Sequence, residues 1–210
     1  TSAIALLLTG IGGAHATLVV TPNGPYKQLD DAYTAEIVSL SSTGAIGQGW
    51  TSAGNLLRST GSDGLYIHSL TADTTAHGAT TIRSATFQAI GGAGLNGYGL
   101  TTGSDGYLYG NGFGALYKID QTSWTSTVVA NSGWAFGIAA NKSGDIFYSN
   151  DTVIGRYNIT TGISSVFHDG ATFYDDLSID PFGYIFAAAL GSCALDIIDP
   201  SGGLVQRVST

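Results

Sequence analysis

The stretch Gly97-Tyr-Gly-Leu-Thr-Thr-Gly-Ser-Asp-Gly106 decides the fold, because altered copies of it recur along the chain. The copies are Asn55-Leu-Leu-Arg-Ser-Thr-Gly-Ser-Asp-Gly64, Ala135-Phe-Gly-Ile-Ala-Ala-Asn-Lys-Ser-Gly144 and Tyr174-Asp-Asp-Leu-Ser-Ile-Asp-Pro-Phe-Gly183. Each copy ends at a glycine, and successive glycines are 42, 38 and 39 residues apart. A period this regular predicts a repeat protein.

The sequence around each glycine predicts antiparallel strands. A short apolar run precedes a tight turn, glycine supplies the positive φ at the end of that turn, and a second β-type run follows, such as Tyr107-Leu-Tyr109. Later runs such as Ala115–Asp120 and Ala194–Asp199 supply the outer strands. Since no segment keeps a 3.6-residue apolar period, we expect little helix.

A unit of this size cannot bury both of its faces alone, and radial stacking of such units buries them. We therefore predict that residues 1–210 form a single all-β domain, a β-propeller of about five four-stranded blades. A partial six-bladed ring and a linear sandwich are the alternatives. The expected repeats cover about 49–92, 93–132, 133–170 and 171–210, after an irregular first unit.

Two features bear on location. Residues 1–20 contain an apolar run followed by Ala14-His-Ala16, which has the form of a signal-peptidase site, so this segment is either a hydrophobic N-terminal strand or a signal remnant. Three glycosylation sequons begin at Asn141, Asn150 and Asn158. Together these features favour a secreted, extracellular glycoprotein.

Composition excludes several functions. The chain has 15 Asp and Glu against 7 Lys and Arg, so nucleic acid and anionic membrane surfaces are unsuitable partners. The N-terminal apolar run is too short for a membrane span. The single cysteine, Cys193, rules out an intrachain disulfide and is expected to be a buried thiol. His168, in a turn-like sequence, is expected to be solvated.

The strings Phe136–Asn150 and Asp175–Ala188 resemble blades of the SMP-30/gluconolactonase and NHL-like propeller superfamily. Virginiamycin B lyase-like proteins and fungal hetero-Diels–Alderases share this blade pattern. The resemblance covers most of residues 50–210 and implies a propeller. It says little about activity, because this fold supports many unrelated chemistries.

The resemblance also implies a metal site to test. Gluconolactonase-like enzymes hold a divalent metal with a Glu, an Asn and an Asp at the central pore, and Asp175 matches the aspartate. Phe136 stands at the asparagine position, and Glu36, the only glutamate, lies late in its unit. Because phenylalanine offers no lone pair to a hard cation, we expect no metal and no other cofactor. A divalent ion at Asp175 is the alternative.

The first residues of each innermost strand are expected to line one mouth of the pore. This gives an aromatic-rich site with two neighbouring acids, suited to stacking and orienting a ligand. On a regular strand the two acids would point to opposite faces, so we assign no catalytic residue. The predicted ligand-binding residues are Asn55, Tyr98, Trp134, Phe136, Tyr174, Asp175 and Asp176.

The sequence therefore leaves two hypotheses. The first is a secreted ligand-binding or structural propeller whose partner is a small molecule, a glycan or a protein, and which self-assembles into a homo-oligomer through its hydrophobic N-terminus. The alternative is a propeller-superfamily enzyme with its site at the central pore: a lactonase-like hydrolase, a lyase or a pericyclase-type cyclase.

Overall fold

The computed structural model describes residues 4–10, 19–21, 24–26, 33–40, 47–53, 56–59, 65–74, 80–90, 99–112, 114–133 and 137–209. The chain divides into two compact units. One comprises Thr1–Ala45 with His68–Phe87, and the other comprises Ile46–Ile67 with Gln88–Thr210.

In the first unit, the N-terminal apolar run forms a strand that pairs within its own chain. Strand β1 (Ile4–Gly10) runs antiparallel to β4 (Tyr33–Leu40). Strands β2 (Val19–Thr21) and β3 (Gly24–Tyr26) form a separate antiparallel pair. The choice between an N-terminal strand of the mature protein and a signal remnant stays a prediction.

Four-stranded antiparallel sheets with their strands in chain order make up most of the described structure. The earliest contains β5 (Gly47–Trp50), β6 (Leu56–Ser59), β7 (Leu65–Thr74) and β8 (Thr80–Ile90). The 99–131 sheet contains β9 (Gly99–Thr102), β10 (Leu108–Gly112), β11 (Ala115–Ile119) and β12 (Ser126–Asn131).

The 138–169 sheet contains β13 (Ile138–Ala140), β14 (Asp145–Asn150), β15 (Val153–Asn158) and β16 (Ile163–Asp169). The 174–209 sheet contains β17 (Tyr174–Ile179), β18 (Ile185–Ala189), β19 (Ala194–Ile198) and β20 (Leu204–Ser209). The only helical element in the described ranges is a 3₁₀ turn at Leu190–Ser192, and none of their helices is long and apolar enough to span a membrane. The all-β prediction is confirmed.

The repeated glycines occupy the turns for which the sequence predicts them. Gly106, Gly144 and Gly183 have φ values of +78°, +90° and +92°, in the left-handed region that side chains with a Cβ rarely enter. The Gly106 amide donates to the carbonyl of Gly103 at 3.0 Å, and Gly183 donates to Asp180 at 3.1 Å. The predicted positive φ is confirmed at these three positions.

The pairs Asp180-Pro181 and Asp199-Pro200 begin turns, as is typical of aspartate before proline. The Asp180 Oδ1 atom accepts hydrogen bonds from the amides of Phe182 at 2.8 Å and Tyr184 at 2.9 Å. In the next turn, Asp199 Oδ1 accepts from the Ser201 amide at 2.8 Å. These bonds lower the pKa of Asp199, chiefly through the Ser201 hydroxyl and the following backbone amides.

One strand lies where the repeat alignment does not place it. The alignment treats Leu56 as the start of the first strand of its unit, whereas β5 precedes it and pairs Trp50 with Leu56. A Cβ on Gly49 would lie 2.8 Å from Leu100 Cβ, so the backbone of β5 packs directly on β9. The alignment is wrong here because the glycine-rich β5 shows no apolar alternation.

The core lies between sheets stacked face to face. One apolar cluster joins the 138–169 and 174–209 sheets, and another joins the 99–131 and 138–169 sheets. A Cβ on Gly137 would lie 2.8 Å from the side chain of Leu177, so these faces are in close contact. Fully buried members include Tyr109, Leu116, Ile146, Ile154, Tyr174, Ile185 and Ile198.

The outermost strands are the most exposed. Every residue of β20 that the structure describes is exposed, and the first four residues of β16 are exposed as well. In the last three four-stranded sheets the register shifts where the outermost strand meets the third strand, at Leu116/Tyr117, Ile154/Gly155 and Ile197/Ile198. Such bulges increase the local twist of an exposed edge.

Replacing Gly106 tests the cost of the left-handed turn position. A Cβ there would meet nothing within 4 Å, so any effect comes from the backbone alone. We expect Gly106→Ala to lower the free energy of unfolding by about 1–2 kcal/mol, as measured by urea denaturation. Gly106→Asn should cost less, because asparagine tolerates this conformation better. Equal losses in the two variants would contradict this explanation.

Candidate functional site

The predicted acidic site lies at one end of the last two sheets. There β14 and β16 finish and β15 and β17 begin, which we call the Asp175 end. Two backbone hydrogen bonds join the connecting segments: the amide of Tyr174 donates to the Asp151 carbonyl at 3.1 Å, and Gly170 donates to Thr152 at 3.2 Å. The first residues of β17 are thus tied to the neighbouring sheet.

A β-bulge in β17 contains both Asp175 and Asp176. Tyr174 lies opposite Ala189 and Leu177 lies opposite Ala187, so β17 has two residues where β18 has one. Asp175 is partly buried and Asp176 is exposed, and Asp176 Oδ1 accepts a hydrogen bond from the amide of Leu177 at 2.8 Å. The side-chain alternation assumed from the sequence is interrupted at this pair.

The Asp175 end is acidic. Asp151 and Asp169 lie there beside the bulged pair. Among the residues that the structure describes, no ion pair includes Asp175 or Asp176. Three of the basic side chains described lie elsewhere: Lys118 is bound to Asp105, Lys142 is in the 141–144 turn at the opposite end, and Arg156 is bound to Asp145. Arg207 lies closer, beneath this end, where it is bound to Asp196.

Tyr174, predicted to line the mouth, is completely buried beneath the bulge. Its hydroxyl donates to Asp196 Oδ2 at 2.8 Å and lies 3.1 Å from His168 Nε2. Arg207 donates two hydrogen bonds of 2.7 Å to the carboxylate of Asp196. These bonds from Arg207 lower the pKa of Asp196, whereas burial and the nearby carboxylate raise the pKa of Tyr174.

Two expectations for single residues are wrong. His168 is buried, since β16 continues as far as Asp169 and carries the ring inward rather than into a solvated turn. Cys193 is exposed, because the chain leaves the apolar strand β18 through the 3₁₀ turn, and Cys193 ends that turn with φ +48°.

The aromatic part of the predicted mouth stays a prediction. Four of its residues lie outside the part of the chain that the structure describes, namely Asn55, Tyr98, Trp134 and Phe136. The bulged acids and the buried tyrosine beneath them are the predicted site residues that the structure places.

The three sequon asparagines all take part in hydrogen bonds within the fold. Asn141 Nδ2 donates to Asp145 Oδ2 at 3.2 Å, and Asn158 Nδ2 donates to Asp145 Oδ1 at 2.9 Å. Asn150 accepts through Oδ1 from the amide of Gly133. Glycosylation at these positions remains a prediction, and a glycan on Asn141 or Asn158 would compete with the bonds to Asp145.

Burial alone would raise the pKa of Asp145, but its side-chain partners reverse that effect. Arg156 Nη2 donates to Asp145 Oδ2 at 3.0 Å, and the amides of Asn141 and Asn158 add two further bonds. The net result is a pKa below the usual range for aspartate. This cluster holds the start of β14 in place.

Asn111 is a buried polar residue that the sequence reasoning missed. Its Nδ2 donates to the carbonyls of Gly137 at 3.1 Å and Ser149 at 3.0 Å, which joins the 99–131 sheet to the 138–169 sheet. Its Oδ1 has no hydrogen-bond partner in the structure as described. An asparagine between two glycines within an apolar strand was the signal available in the sequence.

The metal site implied by the resemblance does not fit the residues present. Asp175 stands at the aspartate position, but the asparagine position is occupied by Phe136. Within the described ranges, no three His, Cys, Asp or Glu side chains come together as a possible metal site. We therefore derive no chemistry through a metal.

The Arg207–Asp196 pair should contribute to stability at neutral pH. Arg207→Met leaves the Asp196 carboxylate buried without its cation, and we expect a loss of about 2–3 kcal/mol in urea denaturation. Arg156→Met should cost less, because Asp145 keeps two amide donors. Since Arg207 lowers the pKa of Asp196, the difference from wild type should shrink as the pH falls below about 4. A difference that is independent of pH would contradict this account.

Comparisons with known proteins identify the fold. No protein-family model matches the chain, and no curated protein matches it. A streptogramin B lyase structure matches with a TM-score of 0.58 and 16% identity, over 92% of this chain and 67% of that one. A gluconolactonase from Xanthomonas campestris matches with a TM-score of 0.64 and 13% identity, over 86% of this chain and 66% of that one.

A chain of a nidogen/laminin complex matches with a TM-score of 0.55 and 11% identity, over 98% of this chain and 93% of that one. This chain spans about two thirds of the length of the lyase and gluconolactonase chains. The repeated four-stranded antiparallel sheets correspond to propeller blades. The chain therefore has the β-propeller fold found in the SMP-30/gluconolactonase and virginiamycin B lyase structures.

Proposed function

We propose that this chain is a secreted β-propeller that binds a ligand at the Asp175 end. The observation that carries the proposal is the bulged pair Asp175–Asp176, whose carboxylates form no ion pair among the described residues. A β-bulge next to a binding site commonly redirects a side chain toward a ligand. Here it brings together one partly buried and one exposed carboxylate.

The charge of this end selects the chemistry of the ligand. Carboxylates without a counter-ion favour a partner that donates hydrogen bonds, above all one with an amino group or several hydroxyls. If Trp134 and Phe136 lie at the mouth as predicted, their rings would stack on a planar or sugar-like body. The proposed ligand is therefore a small amine or a glycan with amino groups.

The support beneath the bulge favours a preformed site. Tyr174 is anchored through its hydroxyl to Asp196 and through its amide to the Asp151 carbonyl. A residue fixed at both its side chain and its backbone holds the following two residues in one conformation. Such preorganisation lowers the entropy that binding would otherwise lose.

The extracellular location and the partners are also proposals. The three sequons and the low content of charged residues, 10% of the chain, support secretion. The likeness to a chain of a nidogen/laminin complex supports a role in binding a protein partner. Self-assembly into a homo-oligomer would have to use the edge of β1 that β4 does not occupy.

Binding of amino sugars tests the proposal directly. We expect glucosamine to bind more tightly than glucose in saturation-transfer NMR, because both sugars can donate hydroxyl hydrogen bonds to the carboxylates but only the protonated amine adds an ion pair. Asp175→Asn and Asp176→Asn should each weaken glucosamine binding about tenfold, the effect of losing one charge-assisted hydrogen bond. Lys142→Gln, at the opposite end, is the matched control and should bind as the wild type does. Equal binding of the two sugars, or unaltered binding in both aspartate variants, would count against this site.

A second candidate function is that of a propeller-superfamily enzyme. The enzymes among the structural neighbours support it. These include a gluconolactonase and a streptogramin B lyase, which act through propellers of the same fold. Asp175 at the matching aspartate position is the one residue that favours a lactonase-like hydrolase. A lyase or a pericyclase-type cyclase would need a shaped pocket at the pore rather than this residue.

An assay with D-glucono-1,5-lactone separates the two candidates. We expect the lactone to open at its uncatalysed rate in the presence of the protein, with and without added Ca²⁺ or Zn²⁺, because two of the three metal ligands are missing. A rate well above background that Asp175→Asn abolishes would instead establish the enzyme and displace the binding proposal.

A further inference from the structure

A continuous chain of hydrogen bonds joins the last two sheets through His168. The ring Nδ1 lies 2.8 Å from the carbonyl oxygen of Gly202, in the turn between β19 and β20. Its Nε2 lies 3.1 Å from the Tyr174 hydroxyl, which in turn lies 2.8 Å from Asp196 Oδ2. Arg207 closes the far end with its two bonds to Asp196. His168 is 9% exposed, whereas Tyr174 and Asp196 are not exposed at all.

The number of protons that these hydrogen bonds need determines the protonation state of the His168 ring. A carbonyl oxygen can only accept, so Nδ1 must carry a proton to bond Gly202. The Tyr174 hydroxyl has one proton, and the ionised Asp196 can only accept it. With that proton given to Asp196, the contact between Tyr174 and His168 is a hydrogen bond only if Nε2 also carries a proton. All contacts are satisfied when His168 is an imidazolium.

The neutral ring leaves the chain one proton short. If Nε2 accepts the Tyr174 proton, the tyrosine oxygen and Asp196 Oδ2 face each other at 2.8 Å with no hydrogen between them. If Tyr174 keeps its bond to Asp196, an unprotonated Nε2 faces the tyrosine oxygen or, in the other neutral tautomer, an unprotonated Nδ1 faces the Gly202 carbonyl oxygen. Two buried acceptors in contact are strongly unfavourable, so one of the contacts must open.

We propose that His168 is a proton-dependent clamp between β16 and the 174–209 sheet. In the imidazolium form the clamp is closed, and loss of one proton opens it. The groups that face the ring are Tyr174 on β17, Asp196 on β19 with Arg207 of β20 behind it, and the Gly202 carbonyl in the β19–β20 turn. On β16 itself, Asp169 accepts from the Ala171 amide.

The direction of the pH effect follows from this count. The clamp contributes to stability while the ring carries both protons, and that contribution is lost when the pH rises and one proton leaves. The carboxylates of Asp145 and Asp196 act in the opposite direction, and in a separate and more acidic range, because their pKa values are lowered. The two effects can therefore be distinguished in one titration.

Nitrogen NMR of the wild-type protein tests the proton count directly. Labelled with ¹⁵N-histidine, His168 should show two protonated ring nitrogens in the folded protein on the acid side of a pH titration, and one of these protons should be lost on raising the pH. His168→Gln identifies its signals among those of the four histidines. A ring that carries one proton throughout this range would overturn the proposal.

Urea denaturation across the same pH range tests the clamp. The wild-type midpoint should fall as the pH is raised and the ring loses a proton, and that fall should be absent or strongly reduced in His168→Gln. Comparing the two proteins cancels the contributions of the other histidines. Tyr174→Phe, which removes the linking hydroxyl but keeps the ring, should likewise flatten the pH dependence. Parallel curves for wild type and both variants would show that the contact does not depend on the proton.

Discussion

A four-stranded sheet of about forty residues has two faces to bury and cannot bury either by itself, and this constraint shapes the rest of the molecule. Neighbouring sheets bury these faces by packing closely against each other. Gly49 lies against Leu100 and Gly137 against Leu177, at distances that no Cβ could share. The apolar clusters consequently belong to pairs of sheets rather than to single ones.

Stacking apolar faces does not fix how one sheet meets the next, and buried polar groups supply that specificity. Asn111 reaches two backbone carbonyls across one interface between sheets, and the His168–Tyr174–Asp196–Arg207 chain crosses the next. A polar group buried without its partners is costly, so a displaced arrangement is disfavoured. These hydrogen bonds also connect the fold with the candidate site, because Tyr174 takes part in them and directly precedes Asp175 and Asp176.

The sequence predicted features set by local chemistry. The turn positions Gly106, Gly144 and Gly183 were predictable because a positive φ selects for glycine. The turns at Asp180 and Asp199 were predictable because each side chain bonds backbone amides within four residues of itself. The all-β fold followed from the period of these turns.

Features that depend on distant partners were not predictable in the same way. The burial of His168 is decided by Tyr174 and Gly202, and the role of Asn111 by carbonyls 26 and 38 residues away. Strand β5 was not predicted because it packs against β9 through Gly49, and a glycine contributes nothing to an apolar pattern in the sequence. At the candidate site, the acids were identified from the sequence, but the bulge that joins them was not.

The register shifts between the third and fourth strands carry a consequence for behaviour at high concentration. The outermost strands display apolar residues such as Val128, Ile163 and Val205 along an unpaired edge, an arrangement that invites fibril growth. In the 99–131, 138–169 and 174–209 sheets, a bulge between the third and fourth strands twists that edge, so that a second flat strand pairs with it poorly. In these three sheets the bulge is the feature that protects the edge, since β12, β16 and β20 contain neither lysine nor proline.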